Sequence, residues 1–153
     1  MKRNSFASFI AVMLMLVMSV AAYAADPVTW MASSQMTGDN EGVVTLTATI
    51  EPGWHLYGTT MPADGPSATK LYYGATGAVF TSNVKASPKP ISKFDDMFGI
   101  NLTYWENKVS FTRKFKLAEG KSTAKIKIKV NFMCCNDANC RPPKTMEFNV
   151  DVK

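Results

Sequence analysis

From Val28 to the C-terminus the chain is a succession of short runs in which apolar and polar residues alternate. Val43 to Ile50 sets Val44, Leu46, Ala48 and Ile50 against Thr45, Thr47 and Thr49. A period of two puts the two sets on opposite faces of a pleated strand, and β-branched threonine suits such a strand. Val109 to Leu117 repeats the pattern with Val109, Phe111, Phe115 and Leu117 on one side, Arg113 being the one exception. Lys125 to Phe132 alternates Lys125, Lys127, Lys129 and Asn131 with Ile126, Ile128, Val130 and Phe132, and Met146, Phe148, Val150 and Val152 do the same near the end. No stretch carries the 3.6-residue period of a helix. The pattern predicts an all-β fold, an antiparallel β-sandwich of about seven to nine short strands. Lys125–Phe132 and Lys144–Val152 should pair across the turn between them.

Turn signals at Glu51-Pro52-Gly53, Glu119-Gly120 and Asn136 punctuate these runs. Two stretches break the rhythm: Thr59 to Lys70, with Pro62, Gly65 and Pro66, and Ser87 to Ile100, with Pro88, Pro90 and Gly99. They are expected to be long functional loops. The second holds Asp95 and Asp96 followed directly by Met97 and Phe98, a composition suited to folding over a site and shielding it.

The first 24 residues read differently. Lys2 and Arg3 precede an apolar run from Phe6 to Val20, and Ala22-Tyr23-Ala24 has the small-x-small form of a signal-peptidase site. Residues 1–24 are therefore expected to be a cleaved signal peptide, with one exported domain at 25–153 and no membrane span after cleavage. Lys2 and Arg3 account for two units of the formal charge of +5, leaving +3. The remaining lysines are scattered along strands and do not interleave with the tryptophans, so nucleic-acid binding is not expected.

All three cysteines fall in one segment, Cys134-Cys135-Asn136-Asp137-Ala138-Asn139-Cys140, followed by Arg141, Pro142 and Pro143. Continuing the strand parity turns Cys134 inward and Cys135 to the opposite, more open face. The polar turn after it would bring Cys140 back beside Cys135, and the four-residue connection allows the usual Cα separation of about 4.4 to 6.8 Å. An odd number of cysteines in an exported chain leaves one unpaired, expected to be Cys134 in the core. Closing so short a loop stabilises by only about 2 kcal/mol, which points away from a purely structural staple. A metal site built from Cys134, Cys135, Cys140 and His55 is the rival reading, for zinc or, with soft sulfur ligands, copper. Adjacent cysteines on opposite faces chelate poorly, and the six methionines beyond Ala24 form no cluster. A non-catalytic binding module with a structural disulfide is a further alternative.

The stretch Cys135-Asn136-Asp137-Ala138-Asn139-Cys140-Arg141-Pro142-Pro143, with Gly53-Trp54-His55-Leu56-Tyr57 upstream and Asp95-Asp96-Met97-Phe98-Gly99 between, resembles the N-terminal periplasmic domain of the thiol:disulfide interchange protein DsbD. The resemblance implies an immunoglobulin-like sandwich in the periplasm whose cysteine pair cycles between dithiol and disulfide without a cofactor. Its partners would be thioredoxin-like proteins, donors and acceptors alike, including those of disulfide isomerisation and cytochrome c biogenesis. By position, Cys135 and Cys140 are the redox pair. Asp95, Asp96, Met97 and Phe98 match the cap loop, Met97 standing where the family often has phenylalanine, and His55 and Tyr57 flank the pair. Some members space their cysteines one residue further apart, which Cys134 and Cys140 would satisfy, so the motif alone leaves both pairings open. Strand parity favours Cys135. No membrane electron conduit or thioredoxin-like domain follows Lys153, so the expectation is that either separate proteins supply the electrons or the module has another use.

Overall fold

A computed structural model describes residues 25–153, and the expected signal peptide lies outside the described residues. Twelve strands follow one another there. They are β1 (Val28–Met36), β2 (Glu41–Ile50), β3 (His55–Tyr57), β4 (Lys70–Thr76), β5 (Ala78–Phe80) and β6 (Lys85–Ser87). The second half holds β7 (Ile91–Asp95), β8 (Ile100–Trp105), β9 (Lys108–Leu117), β10 (Ala124–Phe132), β11 (Cys134–Cys135) and β12 (Lys144–Val152). Every pairing among them is antiparallel.

Two sheets make the sandwich. One runs β1-β2-β9-β5, with β6 also on β9, and the other runs β12-β10-β4. Their facing residues are the alternating apolar sets: Val44, Leu46 and Ala48 from β2, Val109, Phe111 and Phe115 from β9, and Ile126, Ile128, Val130 and Phe132 from β10 are all buried. Trp30 from β1 lies against Phe111 and Phe132 between the layers, with ring centroids 6.2 and 5.2 Å away. Such packing removes most of the apolar surface of these strands from water, at about 25 cal/mol per Å2. Arg113, the inward exception, lies over the Phe80 ring at 4.1 Å and donates from Nε to the carbonyl of Ser82 at 2.9 Å. Its charge is thus held by an aromatic face and a carbonyl instead of a carboxylate. β10 and β12 pair antiparallel, as expected, from Ala124 opposite Val152 to Phe132 opposite Lys144.

A third sheet, β11-β3-β8-β7, extends the sandwich at one end. Leu56, Trp105 and Cys134 turn from it into the main core, while Tyr57, Leu102, Tyr104 and Cys135 face the other way and form a second, smaller core. Two expectations are corrected here. The strands number more than about nine, because the ends of the sandwich are built from two- and three-residue strands too short to show alternation. The stretch Ser87 to Ile100 is not an open loop: β7 pairs with β8 from Ile91 opposite Tyr104 to Asp95 opposite Ile100, leaving a tight tip at residues 96–99.

Candidate functional site

β11 is held by β3, with Cys134 opposite Leu56 and Cys135 opposite His55. The chain then turns back through Asn136 to Asn139. The Asn136 side-chain carbonyl accepts from the amides of Ala138 and Asn139 at 3.0 and 2.7 Å, an Asx turn that fixes the reversal. Two main-chain bonds close it: Asn136 N to Asn139 O and Arg141 N to Cys134 O, both 2.9 Å.

These bonds flank Cys135 and Cys140, which makes them a non-hydrogen-bonded antiparallel pair, the close type, in which Cα atoms approach to about 4.5 Å. The two sulfurs form a disulfide, with the Cα atoms 4.0 Å apart. That is somewhat tighter than the usual disulfide span of about 4.4 to 6.8 Å, because the close pairing of the ladder sets the separation. Cys134 is the free thiol and is buried. Burial pushes its pKa up to about 11; the charge of Asp26 adds to the shift and Arg141 opposes it. Strand parity does place Cys134 and Cys135 on opposite sides. The open face expected for Cys135 is not there, however: its exposure is 1 %, because the β7–β8 hairpin and Tyr57 roof that side. Cys140 is only half-buried and is the accessible member.

The roof is the hairpin tip. Asp95 accepts at Oδ1 from the amides of Met97 and Phe98 at 2.9 and 3.1 Å, and its carbonyl accepts from Gly99 at 2.7 Å. Gly99 sits at φ 69°, a left-handed conformation that glycine adopts without a Cβ penalty. Asp95 is therefore the residue that folds the tip. Met97 Sδ lies 3.8 Å from Cys140 Sγ, with the Met97 side chain 53 % exposed. Phe98 points down into the second core, edge-on to Tyr57 with ring centroids 6.2 Å apart. His55 lies with its ring 4.9 Å from that of Tyr104 and 5.8 Å from that of Tyr57.

Between the tip and the cysteine turn lies a cavity of about 400 Å3, bordered by His55, Tyr57, Asp95, Met97, Tyr104 and Asn136 among others. Asp96 is exposed on its rim. Tyr57 is fully buried, yet its hydroxyl has no hydrogen-bond partner. Burial, then the charges of Asp95 and Cys134, push its pKa up to about 12. Behind the turn, the Arg141 guanidinium lies 5.5 Å from the centre of the Trp54 ring, bracing the segment that carries Cys140.

The structure thus brings His55, Tyr57, Asp95, Asp96, Met97, Phe98, Cys135 and Cys140 together at one end of the fold. It leaves Cys134 out, turned into the main core, so the four ligands of the rival metal site do not converge. Among the described residues no group of three or more histidine, cysteine, aspartate or glutamate side chains is arranged to hold a metal. Sequence reasoning missed Tyr104, Phe94 and Glu106, which also border the cavity. Recognising the β7–β8 hairpin would have found Tyr104, two residues beyond the inward Leu102 on the same face.

The class is an all-β, immunoglobulin-like sandwich with a disulfide between β11 and the returning chain at one end. The chain belongs to the family described as "Thiol:disulfide interchange protein DsbD, N-terminal", which matches residues 25–152. Among solved structures it is similar to the N-terminal periplasmic domain of ScsB from Proteus mirabilis, at 14 % identity and a TM-score of 0.51. That match covers 82 % of this chain and 44 % of the other, so this chain spans less than half the length of that relative and shares its fold. It is also similar to the reduced N-terminal domain of DsbD from Neisseria meningitidis, at 18 % identity and a TM-score of 0.49, over 77 % of this chain and 82 % of that one. A comparison with curated proteins found no match.

Proposed function

We propose that this domain is a periplasmic redox relay that exchanges electrons with thioredoxin-like proteins through Cys135 and Cys140. The observation that carries the reading is the disulfide on a turn it barely stabilises, covered by the Met97 side chain from a hairpin 43 residues away in sequence. A structural staple needs no cover. Family membership supports the partner class, and the signal-like residues 1–24 support export.

The difference in exposure orders the chemistry, since a thiolate attacks the sulfur it can reach. A partner thiolate attacks Cys140 Sγ, forming an intermolecular disulfide while the Cys135–Cys140 bond breaks and its electron pair leaves on Cys135. The partner's second thiolate then attacks the partner sulfur of that mixed disulfide, closing the partner's own disulfide and releasing Cys140. Two electrons have entered the domain, and two protons follow as the thiolates are neutralised. The reverse sequence on an oxidised acceptor delivers them. Met97 must swing aside for either step, because its sulfur occupies the approach to Cys140.

The test uses a thioredoxin-like protein that keeps only its attacking cysteine, in a glutathione buffer of oxidising poise. Cys135→Ser should accumulate a mixed disulfide through Cys140, and Cys140→Ser should accumulate far less, because Cys135 is buried. Equal trapping by both variants would contradict the order of attack. No trapping by either would end the relay reading.

A further inference from the structure

The cavity beside the disulfide carries a charge pattern opposite to that of the chain around it. Asp95, Asp96, Glu106 and Asp137 border it, with Lys93 as the one lysine or arginine among the lining residues, in a protein whose formal charge is +5. The ion pairs among the described residues, Lys127 with Glu147 and Lys144 with Asp26, involve none of these four carboxylates. One oxygen of Asp95 is committed to the hairpin tip, but the Asp96, Glu106 and Asp137 side chains are exposed and their carboxylates accept no hydrogen bond among the described residues. Like charges gathered without partners at one mouth oppose folding, so folding alone gives no reason for them.

A second observation points to an occupant. Tyr57, fully buried, borders the same cavity with its hydroxyl unpartnered. A buried polar group left unmatched costs about 1 to 3 kcal/mol; this hydroxyl is out of reach while the tip is closed, and the cost is removed when Met97 swings aside and a docking partner brings an acceptor or donor to it. Phe94 and Met97, both more than half exposed, supply the apolar centre that a protein interface places inside a polar rim.

We infer that this mouth selects a protein partner whose reactive cysteine is ringed by lysines or arginines, the carboxylates of Asp96, Glu106 and Asp137 meeting that positive rim as the partner sulfur reaches Cys140. The inference rests on the exchange reading proposed above. It adds the charge of the partner's contact face. Complementary fields of this kind act mainly on the encounter rate and fade with ionic strength.

The probes are three small thiols: cysteamine, which is cationic, 2-mercaptoethanol, which is neutral, and 2-mercaptoethanesulfonate, which is anionic. Each thiolate attacks the disulfide and forms a mixed disulfide as one protein thiolate leaves; a second equivalent completes the reduction and departs as the oxidised small-molecule disulfide. At low salt the rate per thiolate should be roughly tenfold higher for cysteamine than for the sulfonate, the low end of electrostatic steering. In molar salt the spread should collapse. In the triple variant Asp96→Asn, Glu106→Gln, Asp137→Asn the ratio of cationic to anionic rates should fall toward that measured on a small-molecule disulfide. A ratio unchanged by salt and by the triple variant would overturn the inference while leaving the exchange reading intact. A disulfide inert to all three thiols even in the Met97→Ala variant, where the cover is gone, would end both.

Discussion

Met97 Sδ and Cys140 Sγ are 3.8 Å apart, so the tip of one hairpin rests on the reactive end of another. Asp95 and Gly99 fold that tip, and Phe98 anchors it against Tyr57. Cover and anchor are therefore different residues. Met97→Ala should leave the melting temperature close to that of the parent but speed alkylation of the reduced domain several-fold, as read by iodoacetamide labelling of Cys140. Unchanged labelling would remove Met97 as the cover. Phe98→Ala should instead cost about 1 to 2 kcal/mol, a fraction of the cost for a fully buried aromatic because this ring is half-buried.

The Asx turn makes a separate prediction. Asn136→Ala removes the side-chain acceptor that holds the amides of Ala138 and Asn139, at a cost of about 1 kcal/mol to the geometry that keeps the two sulfurs together. The disulfide should become easier to reduce by roughly 20 mV, given about 30 mV per 1.4 kcal/mol for a two-electron couple. An unmoved potential would show that the ladder bonds from Asn136 N to Asn139 O and from Arg141 N to Cys134 O suffice, and a lowered one that the Asx turn opposes the disulfide.

Alkaline stability follows from the raised pKa values. Burial lifts Cys134 from 9.0 to about 11, and lifts Tyr57 and Tyr73 from 10.0 to about 12. A group whose pKa is higher in the folded state binds its proton more tightly there. Its contribution is fully present below the unfolded pKa and is lost as pH rises through the folded one. The melting temperature should accordingly fall between about pH 9 and pH 12, and Cys134→Ala should flatten the part between about 9 and 11. A Cys134→Ala profile that overlays the parent's would contradict burial as the cause.

The long strands were legible because each has one face in the core. β2, β9, β10 and β12 alternate in sequence as they do in burial, and even Arg113 was visible as the exception. β7 was not legible, because it is an edge strand with Ile91 to Phe94 all exposed and two prolines just before it. A strand with no buried face has no period to read. The cysteine turn was legible as a turn, since asparagine and aspartate favour that geometry locally. The burial of Cys135 was not, because what covers it comes from β3, β8 and the hairpin tip, far away in the chain. Asp95 was read as half of a charged pair, and its carboxylate instead folds the tip by accepting two amide bonds.

A relay requires that the Cys135–Cys140 bond be made and broken in use. The reduction potential of the purified domain, measured by equilibration in glutathione buffers with thiol mapping by mass spectrometry, tests it most directly. For a relay the potential should lie between those of thioredoxin and disulfide isomerase, about −270 to −180 mV, with Cys134 remaining a thiol throughout. A potential below about −300 mV would mark a structural disulfide and contradict the relay.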